Sequence, residues 1–250
     1  MNKSPAAIAA ASLLLMGASG IAGAQEQQTF TYATYFVCDV GLQDRADEIV
    51  EQVDKPAFEA AIASGSIAGW GWLKHHTGGQ WRRVQYYSAS SIEGLLDAQK
   101  KITDQTEATA KGKALGKEFA NACRSHDDYI WRRVAGNANT AARGLAGFSV
   151  YYVCDSSRES QADELVKRIF APMYDKLVAD GKLTSWGWME HIVGGEYRRL
   201  ATMTAKDMPS LMAARGAIVA AFQDDPLAST LDDICGSHAD YMWDTKFAAP

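Results

Sequence analysis

The sequence predicts an α+β protein built from two copies of one β-α-β-β-α-β unit. Two observations lead to this prediction: an internal repeat that runs through most of the chain, and an alternation of strand-type and helix-type segments within each copy. The chain has 250 residues, enough for one or two domains. Its 47% hydrophobic and 22% charged residues are ordinary globular values, which excludes disordered, collagen-like and coiled-coil classes.

The repeat is visible without gaps over about fifty residues. The run Tyr-Phe-Val-Cys-Asp at 35–39 returns as Tyr-Tyr-Val-Cys-Asp at 151–155, a shift of 116, and 19 of the 50 positions from 35 to 84 are identical at that shift. The match resumes at a shift of 112, where Cys123, Ser125, His126, Asp128, Tyr129 and Trp131 return as Cys235, Ser237, His238, Asp240, Tyr241 and Trp243. Each half has about 100 residues, enough for its own core.

The elements of each half follow from residue type and spacing. Residues 31–38 are rich in β-branched and aromatic side chains, which predicts a strand. Apolar residues at helical spacing predict a helix over 44–64 that Pro56 kinks or restarts. The remaining predicted elements are strands at 67–76 and 81–88 around the turn Gly78-Gly79, a helix over 90–102, a second short helix before Cys123 and a strand at 126–134.

With right-handed connections, this order of elements forms an antiparallel sheet whose strands lie in the order 4-1-3-2. This arrangement is the ferredoxin-like fold. The end of strand 1 then lies near the start of strand 4. This topology selects disulfides Cys38–Cys123 and Cys154–Cys235 from the three possible pairings. The alternative is four buried free thiols. A metal site is not expected, because the cysteine and histidine spacings are not those of zinc sites.

The N-terminus has the features of a secretory signal peptide. Lys3 precedes an apolar run over 6–16, and Ala22-Gly23-Ala24 predicts cleavage after residue 24. The alternative is an N-terminal anchor or core helix. The predicted organisation is a signal peptide at 1–24, a flexible tail at 25–30, repeat 1 at 31–134, a linker at 135–147 and repeat 2 at 148–247.

The expected location is therefore the periplasm or the cell exterior, where disulfides persist. After cleavage no apolar stretch is long enough to span a membrane. The net charge of −5 gives no basic footprint for nucleic acid.

The duplicated unit resembles the dimeric α+β barrel superfamily, which includes antibiotic-biosynthesis monooxygenase-like and EthD-like domains. In those proteins two ferredoxin-like units pack sheet against sheet. The resemblance covers residues 31–134 and 148–247 and is carried by element order and duplication. It implies a pseudo-dimeric barrel within one chain, present as a monomer or a homodimer.

The hairpin through Gly78-Gly79 pairs Trp70 with Tyr87, Trp72 with Gln85 and Lys74 with Arg83. The glycine-rich opposite face suits close packing under helices, so the tryptophan face is expected to point into the barrel. The predicted site for a small aromatic or anionic molecule is then an aromatic-walled cavity with cationic anchors, formed by Trp70, Trp72, Arg83, Trp186, Trp188 and Arg199. The alternative is that the indoles only fill the core.

Histidines recur in equivalent positions of the two halves. His75 and His191 each lie opposite an arginine, and they are weak candidates for a general base, on the helix-facing side in this register. The alternative is a hydrogen-bonding role at the sheet end. His126 and His238 are expected to cap the last strand of each half rather than bind metal. No cofactor is expected: some barrels of the superfamily hold haem, but no local motif here supports it.

Three functions remain open at this point. The leading hypothesis is an exported small-molecule binding protein with its cavity between the two sheets. The alternative is a cofactor-independent oxygenase-like barrel enzyme, and the third is a structural or interaction protein with a solid barrel. Hydrolase, kinase and nicotinamide-enzyme motifs are absent, so those enzyme classes have no support in the sequence. Whether the protein is an enzyme at all stays open.

Overall fold

A computed structural model describes residues 28–137 and 143–249. In the first half, the strands are β1 (Phe30–Val37), β2 (Gly69–Thr77), β3 (Arg83–Ala89) and β4 (Ser125–Gly136), and the helices are α1 (Gln43–Ile49), α2 (Lys55–Ala63), α3 (Ile92–Thr106) and α4 (Ala110–Ala122). A 3-10 turn (Val40–Leu42) precedes α1, and a π-helical segment (Val50–Asp54) joins α1 to α2.

The second half repeats this order. Its strands are β5 (Ala146–Val153), β6 (Ser185–Val193), β7 (Arg199–Ala205) and β8 (Ser237–Ala249), and its helices are α5 (Glu159–Leu165), α6 (Ala171–Ala179), α7 (Met208–Phe222) and α8 (Pro226–Ile234), with a π-helical segment (Val166–Phe170) between α5 and α6.

The eight strands close into one antiparallel barrel in the order β1-β3-β2-β8-β5-β7-β6-β4. The two halves meet twice, where β2 pairs with β8 and where β4 pairs with β6. The predicted α+β class is therefore confirmed, and the two halves form a single closed barrel. Within that barrel the neighbours from the first half run β4-β1-β3-β2.

Local signals account for most element boundaries. Pro56 falls in the first turn of α2, where its missing N–H is not needed, so the predicted long helix restarts there. Ser91 caps α3 and Asp207 caps α7, each accepting a hydrogen bond from a backbone N–H in the first turn. The predicted helix over 90–102 extends to Thr106, and the last strand extends on both sides of the predicted 126–134.

Both predicted disulfides, Cys38–Cys123 and Cys154–Cys235, are present. The predicted linker is shorter than expected, because β4 runs to Gly136 and β5 starts at Ala146. The signal peptide and nearly all of the tail lie outside the described residues, as does 138–142 of the linker.

Apolar side chains pack in three layers. One core lies between the first half of the sheet and helices α1–α4, and the second half has equivalent cores under its own helices. The fourth core fills part of the barrel lumen, forms the third layer and consists mainly of aromatic rings, including Tyr35, Trp81, Tyr129, Trp131, Tyr151, Tyr241 and Trp243. Every strand is thus covered on both faces.

No helix among the described residues is long and apolar enough to cross a membrane.

Candidate functional site

The predicted hairpin register is confirmed, but the predicted orientation of its tryptophan face is wrong. Trp70 pairs with Tyr87 and Trp72 with Gln85, as expected. The indoles, however, lie under the helices: Trp72 Nε1 donates to Asp47 Oδ1 of α1 at 2.7 Å, and Trp70 stacks on Phe58 of α2. The sequence therefore placed this face on the wrong side of the sheet.

The second half shows the same reversal. Trp188 Nε1 donates to Asp163 of α5 at 2.7 Å, and Trp186 Nε1 donates to Asp175 of α6 at the same distance. Arg83 and Arg199 also point to the helix side, where each forms a two-pronged ion pair with the same aspartate that binds the nearby indole. These six residues are buried structural anchors between sheet and helices.

The physical reason is the size of the rings inside the lumen. A side chain at Gly71 would run into the ring of Tyr86 on the neighbouring strand. Position 71 therefore needs a glycine because the ring of Tyr86 occupies the space of a side chain in the lumen. The sequence alone does not distinguish this case from a glycine that packs beneath a helix. The face with the glycines is the inner face.

His75 and His191 consequently lie on the lumen side, and their predicted helix-side placement is wrong. Arg82 Nη1 lies 3.0 Å from His75 Nδ1, and Arg198 Nη1 lies 2.8 Å from His191 Nδ1. The His75 ring packs edge-on against Trp243. Burial, and then the adjacent arginine charge, lower the pKa of both histidines, which favours their neutral form. The general-base role stays a hypothesis.

This lowered pKa predicts a loss of stability in mild acid. As the pH falls through about 6.5, these histidines bind protons in the unfolded chain but not yet in the folded protein. The free energy of unfolding therefore decreases below that pH. Replacing both residues (His75→Gln with His191→Gln) is expected to flatten the fall in unfolding free energy between pH 7.5 and 5.5, measured by urea titration. The matched control is His126→Gln, an exposed histidine. An unchanged slope in the double variant would contradict the assignment.

His126 and His238 lie exposed at the start of β4 and β8, each beside an aspartate two residues on, and their capping role stays a prediction. Asp128 lies 3.1 Å from His126. Asp240 lies 3.5 Å from His238 and pairs with Arg215 at 3.3 Å.

The lumen contains a cavity of about 100 Å³ beside the aromatic core. Pockets for drug-sized ligands have volumes of about 300–1,000 Å³. A flat aromatic ligand between the sheets is therefore not accommodated, because the lumen rings occupy that space.

A larger pocket lies on the outer face of the first half, between the sheet and the helices. Its volume is about 530 Å³. Phe36 of β1 and Phe119 of α4 form an edge-to-face pair in its wall, with ring centroids 5.1 Å apart. The polar groups that line it are Asp54, Gln85, Thr106, Glu107, Lys113 and Lys117. An aromatic wall combined with a few polar groups is the usual composition of a small-molecule site.

Asp54 is the most unusual of these groups. It is half-buried at the end of the π-helical segment, and no ion pair or hydrogen bond joins its carboxyl to any residue within 28–137 or 143–249. Burial raises the pKa of Asp54 to about 7. A carboxyl with such a pKa in a pocket is a candidate acid or base, and π-helical segments occur often at functional sites.

The second half lacks this group. At the shift of 116, Asp54 corresponds to Phe170 and Gln85 to Ala201. Phe170 packs against Phe222 with ring centroids 4.6 Å apart, and the pocket in this half has about 240 Å³. The two halves therefore differ at the position of the Asp54 carboxyl.

Sequence analysis did not identify this pocket. The only trace in the sequence is the pairing of Asp54 with Phe170, which is one of many non-identical positions between 35 and 84 and so does not stand out. Asp54 has the helical spacing of an ordinary exposed carboxylate, so its position in the sequence does not indicate a site.

No protein-family model matches the sequence, and no curated protein matches it either.

Comparison with solved structures identifies the fold. A "putative monooxygenase" from Lactobacillus acidophilus NCFM is similar with a TM-score of 0.59 at 6% identity, over 89% of this chain and 96% of that one. A second protein so described, from Fusobacterium nucleatum, has a TM-score of 0.57 at 9% identity, over 88% and 93%. An anthrone oxidase-like protein has a TM-score of 0.52 at 11% identity, over 90% and 94%. These are dimeric α+β barrel proteins, and this chain has their fold.

The comparisons correct the expectation that the protein takes no cofactor. Similar structures include a chlorite dismutase from Candidatus Nitrospira defluvii, with a TM-score of 0.53 at 8% identity over 88% of this chain and 91% of that one. With lower TM-scores of 0.48 and 0.40, they also include a heme-binding protein from Thermus thermophilus and a heme-degrading enzyme from Listeria monocytogenes. At these identities the similarity shows the fold alone, and heme is named only for those two proteins.

The residues of the larger pocket do not suit heme, however. Proteins hold heme iron through histidine, cysteine, methionine or tyrosine. Within the described chain, the residues lining the pocket include none of these, and all four cysteines form disulfides. The lumen has tyrosines and histidines nearby, but a cavity of about 100 Å³ is too small for a macrocycle.

Proposed function

We propose that the protein is an oxygenase-like barrel enzyme whose first half carries the active site and whose second half completes the barrel. The observation that carries this proposal is the unpaired Asp54 carboxyl on the wall of a pocket of about 530 Å³. A pKa of about 7 leaves both protonation states populated at neutral pH, where proton transfer by a side chain is most effective.

Asp54 is the general base in this proposal. Its carboxylate takes a proton from a weakly acidic group of an aromatic substrate, a phenolic hydroxyl or a C–H beside a carbonyl. For a CH2 activated by a carbonyl, as in anthrone, the carbanion forms a C–O bond with dioxygen, the oxidant, and takes a proton back to give a hydroperoxide. Loss of water from the hydroperoxide leaves the ketone. The similarity to two proteins described as monooxygenases and to an anthrone oxidase-like protein supports this class.

The other groups of the pocket suit the same chemistry. Phe36 and Phe119 provide ring contacts for an aromatic substrate. Lys113 and Lys117 lie one helical turn apart at the exposed rim, and they favour the anion that proton removal creates. Gln85 supplies an amide that can hydrogen-bond a substrate oxygen.

The test uses anthrone as the probe and dioxygen uptake as the readout. The wild-type rate is expected to rise with pH and to level off above about 7, because the base form of Asp54 is required. Asp54→Asn is expected to lower kcat by about 100- to 10,000-fold, the usual contribution of general acid–base catalysis. The Asp54 carboxyl signal in a ¹³C NMR titration is expected to move with a midpoint near 7.

Two glycines supply a matched pair of controls for the pocket. Gly116 of α4 lines the pocket and has open space where a side chain would go, and Gly216 of α7 is equally open but outside it. Gly116→Leu is expected to raise KM for anthrone, whereas Gly216→Leu is expected to leave it unchanged. A wild-type rate of anthrone oxidation in the Asp54→Asn variant would contradict the proposal. So would an oxidation rate that rises in proportion to a heme absorption band of the purified protein.

We infer that the protein is exported through the signal at 1–24. The two disulfides support this inference, because such bonds persist in oxidising compartments. Sequencing the N-terminus of protein recovered from the periplasm or the medium tests it, with Gln25 as the expected first residue.

We also infer that each half is a ferredoxin-like unit and that the two arose by duplication. The strand order within each half and the 19 identities over 50 positions support this origin.

A further inference from the structure

We propose that the mouth of the barrel lumen is a second binding site, for a small oxyanion, in which the Arg143 guanidinium supplies the counter-charge. The site is separate from the pocket of Asp54: it lies inside the barrel, in the cavity of about 100 Å³ that the inner faces of both halves line.

Arg143 has no anionic partner among the residues that the structure describes. Its guanidinium lies over the ring of Tyr86, 4.3 Å from the ring centroid, and no carboxylate within 28–137 or 143–249 pairs with it. The five residues just before it in the sequence, 138–142, contain no acidic side chain. Burial lowers the pKa of Arg143 to about 10, and an anion bound beside it would remove this penalty.

The other buried or ring-stacked arginines show how unusual this is. Arg83 and Arg199 each form a two-pronged pair with an aspartate. Arg215 lies over the Phe148 ring at 4.7 Å, much as Arg143 lies over Tyr86, but it also pairs with Asp240 at 3.3 Å. Arg143 alone of these four has no carboxylate partner among the described residues.

The backbone beside Arg143 is held in place across the mouth of the barrel. Gly144 N donates to Thr184 Oγ1 at 3.0 Å, and Thr245 Oγ1 donates to Gly144 O at 3.1 Å. Thr245 N also donates to Leu145 O at 2.9 Å. The charge is therefore presented at a fixed position.

Two further groups in the cavity wall lack a partner. Trp243 Nε1 and Tyr86 Oη are buried and form no hydrogen bond within the described chain. The repeat counterpart of Trp243 is satisfied, because Trp131 Nε1 donates to Tyr35 Oη at 3.2 Å. Most buried polar groups in proteins have a partner, so these two groups, beside a cation that no described carboxylate pairs with, support a ligand in the cavity. An indole N–H, a phenol O–H and a guanidinium all donate, so that ligand must be an acceptor.

The cavity limits the size of the anion. Its volume of about 100 Å³ is that of three waters at about 30 Å³ each, which admits three to five non-hydrogen atoms. Acetate and nitrate have this size and the planar oxygens that a guanidinium binds in a fork.

The test measures acetate and nitrate binding to the full chain by calorimetry, with neutral acetamide as the uncharged counterpart of acetate. Arg143→Gln is expected to weaken acetate binding at least tenfold, and Trp243→Phe to weaken it several-fold. Arg215→Gln, the matched ring-stacked arginine, and Asp54→Asn are expected to leave it unchanged, so this proposal and the proposed function fail independently. The Trp243 indole N–H resonance is expected to shift on adding acetate but not acetamide.

Three results would overturn the proposal. The first is acetate binding that survives Arg143→Gln, and the second is an equal loss in Arg143→Gln and Arg215→Gln, which would indicate only a general charge effect. The third is a Trp243 indole N–H resonance that does not shift at saturating acetate. This measurement uses the wild-type protein, so it tests the proposal even if a variant folds poorly.

Discussion

Asp47→Ala is expected to lower the free energy of unfolding by about 3–5 kcal/mol, the usual cost of breaking a buried ion pair from one side. Asp47 Oδ1 accepts from Arg83 Nε at 2.6 Å and from Trp72 Nε1 at 2.7 Å, and Oδ2 accepts from Arg83 Nη2 at 3.0 Å. Asp47 is 2% exposed and Arg83 is 1% exposed. Its removal leaves a buried guanidinium whose remaining partners, Gln43 and a backbone carbonyl, carry no charge.

The second half provides the control for this effect. Asp163 occupies the place of Asp47, but Arg199 there also pairs with the Glu159 carboxylate at 3.1 Å, where the first half has neutral Gln43. Asp163→Ala is therefore expected to cost less than Asp47→Ala, because Arg199 keeps one anionic partner. Adding Glu159→Gln to Asp163→Ala is expected to remove the difference. The measurement is urea unfolding at pH 7, and equal losses in the two single variants would contradict this account.

Removing the Cys38–Cys123 disulfide by serine substitution is expected to lower the free energy of unfolding by about 2–5 kcal/mol. The bond joins residues 85 apart, and most of its effect is a restriction of the unfolded chain. It holds the end of β1 against the end of α4, where Asp39 N also donates to Ala122 O at 2.8 Å.

The Cys154–Cys235 bond is a control of nearly equal loop length, with a separation of 81 residues. Because the entropy term depends only on the logarithm of this length, the two bonds are expected to contribute nearly the same amount. The comparison is made by thermal unfolding of the two serine pairs at equal protein concentration. A much larger loss for one bond would show that native contacts, rather than loop closure, dominate its contribution.

The elements, the hairpin register and the disulfide pairs could be predicted because each depends on local pattern and chain order. Gly78-Gly79 sets the register of β2 and β3, and strand order places the two ends of each disulfide together. The side of the sheet that faces the lumen could not be predicted. Both faces are buried in a barrel covered by helices, so hydrophobicity does not distinguish an inward Trp72 from one under a helix.

The candidate site could not be predicted from the sequence pattern either. Asp54 is one acidic residue among several on a helix, and its environment is set by β1, β3 and α4, which are distant in sequence. Arg143 falls in a segment that composition identifies as a linker, and only the three-dimensional structure shows that no described carboxylate pairs with it.

The sequence by itself determined that the chain is a duplicated α+β unit whose cysteines pair within each half, because repetition, periodicity and topology are properties of chain order. Only the tertiary structure decided which groups are available for chemistry. Availability depends on what each side chain meets when the two halves close on each other: Asp47 meets an arginine, whereas Asp54 and Arg143 meet no opposite charge among the described residues.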